Sequence, residues 1–397
     1  MTVEFDVLIV GAGIAGASLA YELAPHASVA VLEQEAQPGY HATGRSAALF
    51  SETYGTPTIR GLTCASRAFL TSPPPGFTGH PILTGRGVMH VALRGQEQEL
   101  AASLALARQT GVGAIELDAA QTVARCPVLR PDVVLGAVYE HDAMDIDVHA
   151  LHNGYLKGMR ARGGQLFNDA RLASASFANG LWTVTLDDGR TLAGRALVNA
   201  AGAWADVVAA RCGVPPVGLQ PRRRTAFTFG PPAGVDIAAW PMVIGIDESY
   251  YFKPDAGQLL GSPANADPVD PHDVQAEEID VATGIYHIEE VSTMQIRRPR
   301  HVWAGLRSFV SDGDLVVGHD PLAPGFFWVA AQGGYGIQSA PAVARLAASG
   351  LLGQPFPEDL ARFGVRAEAL APARLQRSAH AASMADCVSA PGNINAD

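Results

Sequence analysis

The sequence predicts an α/β fold in which a parallel sheet with helical crossovers is joined to a second unit on an antiparallel sheet. Three observations lead there. Near the start, the apolar run FDVLIV (Phe5–Val10) stops at a glycine, IAGASLAYELA follows from Ile14 with helical spacing, and SVAVLE (Ser28–Glu33) is apolar again. Short apolar runs that end in glycine mark strands buried on both faces, as parallel strands are. Next, LWTVTLDDGRTLAGRALVNAAG (Leu181–Gly202) alternates and turns at Asp188-Gly189, while YYFKPDAGQLLG (Tyr250–Gly261) turns at Pro-Asp-Ala-Gly, so both read as hairpins. Finally, WVAAQGGYGIQSAPAVARL from Trp328 runs a strand into Gln332–Gly336 and then a helix. At 397 residues, two structural units are the natural division.

The smaller signals fit this frame. LDAAQTVARC (Leu117–Cys126) opens with Asp118 and has Gln121 three residues on, the pattern of a helix capping box. DIDVHALHNGYLKGMRARGG gathers Asp145, Asp147, His149 and His152, which tempts one towards a metal. The paired histidines lack a third well-placed ligand, so the preferred reading is a helix capped by Asp147 with Val148, Leu151 and Tyr155 on its apolar face. The tail after Leu375 is rich in Ala and Ser and is expected to be loose.

Composition removes several function classes. A hydrophobic fraction of 48% with 42 glycines suits a packed globular chain with many tight turns. The formal net charge of −11 argues against a nucleic-acid partner, and Arg222–Arg224 is the one run of three consecutive basic residues. Cys64, Cys126, Cys212 and Cys387 are scattered without a CxxC pair, as expected of reduced thiols in the cytoplasm. No Lys or Arg precedes the first apolar run, unlike a secretory signal, and no apolar stretch reaches the length of a spanning helix. Cytoplasmic location is expected, with peripheral membrane contact left open.

GAGIAG (Gly11–Gly16) fits G-x-G-x-x-G between a strand and a helix. Gly11 permits the tight turn, Gly13 lets backbone approach a pyrophosphate, and Gly16 lets helix and strand pack closely. Glu33 stands 22 residues past Gly11, where a carboxylate accepts from ribose hydroxyls and disfavours a 2′-phosphate. NADP is thereby set aside. Between NAD and FAD, two later segments decide: LVNAAGAWAD (Leu197–Asp206), a buried strand running into small residues and a glycine, and the late glycine-rich turn, whose helix N-terminus suits negative charge on a reduced isoalloxazine ring and of which an NAD enzyme has no need.

The stretches VLIVGAGIAGAS, EAQPGYHATGRSAA, LVNAAGAWAD, DESYYFKPDAG, LLGSPANADP, WAGLRSFVSDGD and AAQGGYGIQ, taken together, resemble the D-amino-acid oxidase superfamily of flavoproteins. The likeness is greatest to the bacterial FAD-dependent D-arginine-type dehydrogenases and runs from about residue 4 to about residue 370. It implies a Rossmann-like FAD-binding domain of the DAO type, assembled from residues 1–85, 145–220 and 310–372. An antiparallel-sheet substrate domain would take residues 86–144 and 221–309, with 373–397 as a flexible tail. The resemblance assigns FAD contacts to Gly11, Gly13, Ile14, Ala15, Gly16, Glu33, Gln34, Thr43, Gly44, Arg45, Ser46 and Ala47. It adds Ala201, Gly202, Trp204, Gly333, Gly334, Tyr335, Gly336, Ile337 and Gln338. Arg45, Ser46 and Ala47 are expected along the pyrophosphate and flavin edge, where bulky side chains would keep the ring out.

The activity implied is oxidation of a D-amino acid to its imino acid, with hydride leaving Cα towards flavin N5. Such a substrate must be held in one orientation, and its carboxylate is the handle for a planar arginine. Arg307, in WAGLRSF, matches the family's carboxylate-binding arginine. Arg223 is expected as the second contact: alternation on a strand puts it opposite Arg222 and Arg224, only one face can point into the pocket, and the resemblance favours the middle arginine. Tyr54 and Tyr251 are expected near the carboxylate, with Tyr250 facing away, and Gln338 by the amine. Where a D-arginine enzyme would place a carboxylate and a histidine, this chain has Val88 and Leu49. An unpartnered guanidinium buried there costs several kcal/mol, so apolar or aromatic D-amino acids are expected, with Met242 shaping the fit. Oxygen and a quinone both stand as electron acceptor. The rival readings are oxidation of an L-2-hydroxy acid or a secondary amine, a non-catalytic flavin redox sensor, and, remotely, an NAD-dependent dehydrogenase.

Overall fold

The structure, a computed structural model, describes residues 3–110 and 113–375. The first strand, Val3–Val10, is buried along its second half because it lies between two parallel neighbours, Thr191–Asn199 and Val29–Leu32. Gln165–Phe167 continues the parallel set beyond Val29–Leu32, and Phe326–Ala330 continues it on the other side. Strand Thr191–Asn199 is shared: residues 191–194 pair antiparallel with Leu181–Leu186, and residues 197–199 pair parallel with Phe326–Ala330. The hairpin at Asp188-Gly189 is therefore an antiparallel extension of the parallel sheet. Both expected hairpins form, the second between Tyr251–Asp255 and Gln258–Ser262.

Helices Ile14–Leu23, Pro57–Thr71, Val148–Ala161 and Gly336–Leu351 cover one face of this sheet. Their apolar sides meet in a core that includes Ile9, Leu19, Val31, Leu62, Leu151 and Val343. A second core on the opposite face holds Leu8, Trp182, Val184, Phe326 and Trp328. Together these make the α/β architecture that the sequence predicts.

The other sheet has nine strands, and Gln220–Phe229 is its hub. That strand pairs antiparallel with His301–Phe309 over nine positions and with Gln258–Ser262 on its other edge. Val88–Leu93 and Val134–Glu140 extend the sheet past Met242–Gly245. A three-stranded patch of Leu49–Phe50, Met144–Ile146 and Leu83–Gly85 lies where the two sheets approach.

The local signals hold in detail. Asp118 accepts from the Gln121 backbone while the Gln121 side chain accepts from the Asp118 N–H, a complete capping box. Asp147 caps helix Val148–Ala161 through Ala150 N at 2.8 Å. The other residues of that cluster have structural partners: His152 donates to the Ala12 carbonyl at 2.7 Å, and Asp145 binds both Arg86 and Lys253. Cys64, Cys126 and Cys212 are free thiols that burial pushes up to about 12. Cys387 and the expected loose tail from residue 376 onward lie outside the described residues, while Pro372–Arg374 forms a helical turn tied to Asp312. Among the described residues, no helix is long and apolar enough to cross a membrane.

One cluster tests the packing. Tyr155 is fully buried against Tyr21, Phe69 and Phe77, with ring centroids 5.1 to 5.5 Å away. Its hydroxyl has no hydrogen-bond partner in the structure. A desolvated, unpaired hydroxyl opposes folding, whereas the ring favours it. Tyr155→Phe is expected to raise stability by about 1 kcal/mol and Tyr155→Ala to lower it by about 3–5 kcal/mol. Denaturant midpoints of the flavin-loaded protein check both signs.

Candidate active site

The glycine-rich turn after the first strand builds one wall of a cavity of about 580 Å³. Gly11 sits at φ 101°, and a Cβ there would lie 2.5 Å from the Ala200 carbonyl, so only glycine fits. Helix Ile14–Leu23 then begins at Gly13 with no side-chain cap. Thr43 Oγ1 takes the Ile14 N–H at 3.0 Å, and the other N–H groups of the first turn are left for an anion. Glu33 is buried and accepts from Ala12 N at 2.8 Å and Glu35 N at 3.0 Å, so it braces the turn as well as facing the cavity. Burial pushes its carboxyl pKa up.

Most residues assigned to FAD line this cavity: Gly11, Gly13, Ile14, Ala15, Glu33, Gln34, Thr43, Arg45, Ser46, Ala47, Ala201, Gly202, Trp204, Gly333, Gly334, Gly336 and Ile337. Four do not. Gly16 is a packing residue, since a Cβ there would stand 1.9 Å from the Gly11 carbonyl. Gly44 closes a tight turn through its N–H to Gly39 O, and Tyr335 caps helix Gly336–Leu351 and leans on Tyr54. Gln338 belongs to the smaller cavity described below. Arg45 lines the wall, but its guanidinium is already engaged with the Val274 and Ala304 carbonyls and with Asp273. It ties two walls together; it is not a free cation for the pyrophosphate. The loop carrying Pro271–Asp273 was missed by the sequence reading because no motif marks it.

A second cavity of about 90 Å³ opens from the first. Both are lined by Ser46, Ala47, Arg224, Tyr251, Arg307, Gly334 and Ile337. Tyr54, Leu49, Val88, Met242 and Gln338 line only the smaller one, as do His90, Ile244 and Glu248. Arg307 lies flat against the late turn: a Cβ on Gly334 would be 2.9 Å from its Nη1. Its Nη1 donates to Tyr54 Oη at 3.3 Å. Gln338 is committed to the scaffold, accepting from Ser51 N and donating to Thr63 Oγ1. That replaces the expected contact with a substrate amine as its main task.

Arg223 requires correction. Its side chain is buried on the other face of the sheet, bonded to Asp280 at 2.9 Å and to Glu277, with Asp267 at 3.6 Å. The antiparallel register explains why. Arg222 stands across from Arg307, and Arg224 across from Gly305, so the even-numbered arginines share the face of Arg307. Arg224 therefore meets Arg307 at the junction of the cavities, its Nε donating to the Asn265 carbonyl at 2.6 Å. Burial, and then the charge of Arg307, push its pKa down. The alternation Arg223, Thr225, Phe227 carried the signal, because Phe227 belongs to the core under helix Glu278–Val291. Glu248 was also missed; it projects from a turn at φ 57°, exposed at the mouth.

A glycine-rich turn with open N–H groups, a buried carboxylate and an adjoining cationic pocket define a dinucleotide-dependent oxidoreductase, and these residues fit FAD. The chain belongs to the FAD dependent oxidoreductase family (DAO), whose pattern matches residues 6–349. It is 24% identical to glycine oxidase of Bacillus licheniformis over 372 residues, covering 89% of this chain and 95% of that one. It is 28% identical to FAD-dependent oxidoreductase domain-containing protein 1 of Bos taurus over 172 residues, 39% of this chain and 35% of that protein's length. The fold matches the crystal structure of glycine oxidase from Geobacillus kaustophilus with a TM-score of 0.80 at 23% identity, over 91% of this chain and 98% of that one.

Two predictions follow from the geometry. Glu33→Ala leaves two backbone donors without their acceptor, so FAD affinity is expected to fall by about 1–3 kcal/mol, read by titrating apoprotein with FAD. Arg223→Met is expected to cost about 3 kcal/mol of folding stability, because the buried Asp280 loses its cation but keeps Thr225 and Asn265 as donors. Its flavin kinetics should stay near wild type, whereas Arg224→Met should leave stability nearly intact and impair turnover. The opposite split would reverse the assignment of the two arginines.

Proposed function

We propose that this protein oxidatively deaminates D-amino acids to imino acids, which hydrolyse to 2-oxo acids, and that it prefers apolar or aromatic side chains over D-Arg and D-Lys. The observation that carries this reading is the meeting of Arg224 and Arg307 where the small cavity opens onto the FAD cavity. Two guanidiniums facing one corner repel each other unless an anion lies between them, and an α-carboxylate is the anion of that shape. FAD supplies the acceptor for the α-hydrogen when bound. The protein's own groups do the rest: Arg224 and Arg307 hold the carboxylate, and Tyr54 and Tyr251 enclose it. The same two cations disfavour an ammonium beside them, so the substrate amine is held neutral without a dedicated side-chain base.

The side chain would lie along Leu49, Val88, Met242 and Ile244. Val88 is fully buried and Met242 nearly so, and neither offers a partner to a charge. Glu248 is the exception among these walls. It stands at the exposed rim, where solvent screens its pull on a cation in the pocket. The D configuration rests on the residue-level likeness to D-amino-acid dehydrogenases.

Anaerobic mixing with D-Leu, D-Met or D-Phe is expected to bleach the flavin absorbance, while the L enantiomers leave it unchanged. Arg307→Met should lower kcat/KM by an amount equivalent to roughly 2–5 kcal/mol with flavin still bound. Val88→Glu should raise activity on D-Arg and D-Lys. A wild type that already favours D-Arg would overturn the side-chain assignment, and reduction by L-amino acids or hydroxy acids alone would overturn the substrate class.

A further inference from the structure

Residues 51–55 connect strand Leu49–Phe50 to helix Pro57–Thr71 and carry Tyr54, the hydroxyl on which Arg307 leans. This short segment is held from two sides, by a helix and by a strand. From one side, Gln338 accepts the Ser51 N–H at 3.2 Å. From the other, Glu140 closes strand Val134–Glu140 and accepts three hydrogen bonds: Ser51 Oγ at 2.7 Å, Thr53 Oγ1 at 2.6 Å and Glu52 N at 2.9 Å. Glu140 is 1% exposed, and among the described residues no Lys, Arg or His forms an ion pair with it. A carboxylate that deep is costly unless its lone pairs are occupied, and here the segment's donors occupy them. Glu140 also pairs in register with Val88, a wall of the small cavity, yet it touches neither cavity itself.

We propose that Glu140 is a positioning residue for the substrate clamp: through Ser51, Glu52 and Thr53 it fixes Tyr54 against Arg307. The chemistry requires a carboxylate. Two hydroxyls and one N–H converge on it, and only a side chain that accepts at both oxygens satisfies all three without turning any donor away. A glutamine would present its own N–H groups either to the Glu52 N–H, donor against donor, or to the two hydroxyls, which would then have to turn and accept instead of donating. The role in substrate handling rests on the reading of Arg307 and Tyr54 given above. The fixing of the segment does not.

The test uses the flavin-loaded full chain. In Glu140→Gln, hydrogen exchange of the amides of residues 51–55 should speed up at least tenfold, while exchange in helix Ile14–Leu23 and the flavin spectrum stay as in wild type. The dissociation constant for benzoate, read from the flavin absorbance, should rise at least fivefold. KM for the D-amino acid should rise by a similar factor with kcat changed less, and Glu140→Asp should recover part of both losses. Thr53→Val removes one donor without touching Glu140 and should raise KM in the same way, which keeps the test open if Glu140→Gln fails to fold. Wild-type exchange and benzoate affinity in the variants would overturn the proposal. Should wild type itself neither bind benzoate nor oxidise amino acids, the functional reading falls, and the exchange contrast still decides whether Glu140 holds the segment.

Discussion

The antiparallel register between Gln220–Phe229 and His301–Phe309 is the constraint on which the site depends. Pairing Arg222 with Arg307 places Arg224 and Arg307 on one face, and it sends Arg223 through the sheet to Asp280. A slip of one residue would exchange these faces, bringing Arg223 to the cavity and stranding Asp280 without its cation. The ion pairs behind the sheet and the cationic corner in front of it are thus two outcomes of one alignment. Each makes the other's register harder to lose.

The second organising feature is the way two glycine-rich turns, far apart in the chain, converge on one cavity. The first follows Val3–Val10 and offers open N–H groups to a phosphate. The second follows Phe326–Ala330, and its Gly334 lets Arg307 lie against the backbone. Both strands flank Thr191–Asn199 in parallel, which brings these turns to the same edge of the sheet, where ligands of open α/β sheets bind. The antiparallel sheet then supplies the groups that would orient a substrate at that edge.

Local chemistry was legible in the sequence, and long-range chemistry was legible only where a motif marked it. The capping box at Asp118, the cap at Asp147, both hairpins and the glycine-rich turn follow from residues within a few positions of each other. Val88, Leu49, Tyr54 and Tyr251 were found because the family likeness carried them. The choice between Arg223 and Arg224 needed the partner strand and the helix over it, neither of which alternation within one strand reveals. Asp273 and Glu140 act across 87 or more residues of chain, as in Asp273 to Arg45 and Glu140 to Thr53, and no local pattern announces such pairings. Gln338 does line the smaller cavity, but the sequence did not show that its amide also bonds Ser51 and Thr63, whose nearness depends on helix packing.

Arg45 bridges a turn beside the dinucleotide cavity to Asp273, Val274 and Ala304 on the far wall, and Tyr40 stacks against its guanidinium. That buckle joins walls that lie 228 or more residues apart in the chain, so a single side chain sets their spacing beside the dinucleotide cavity.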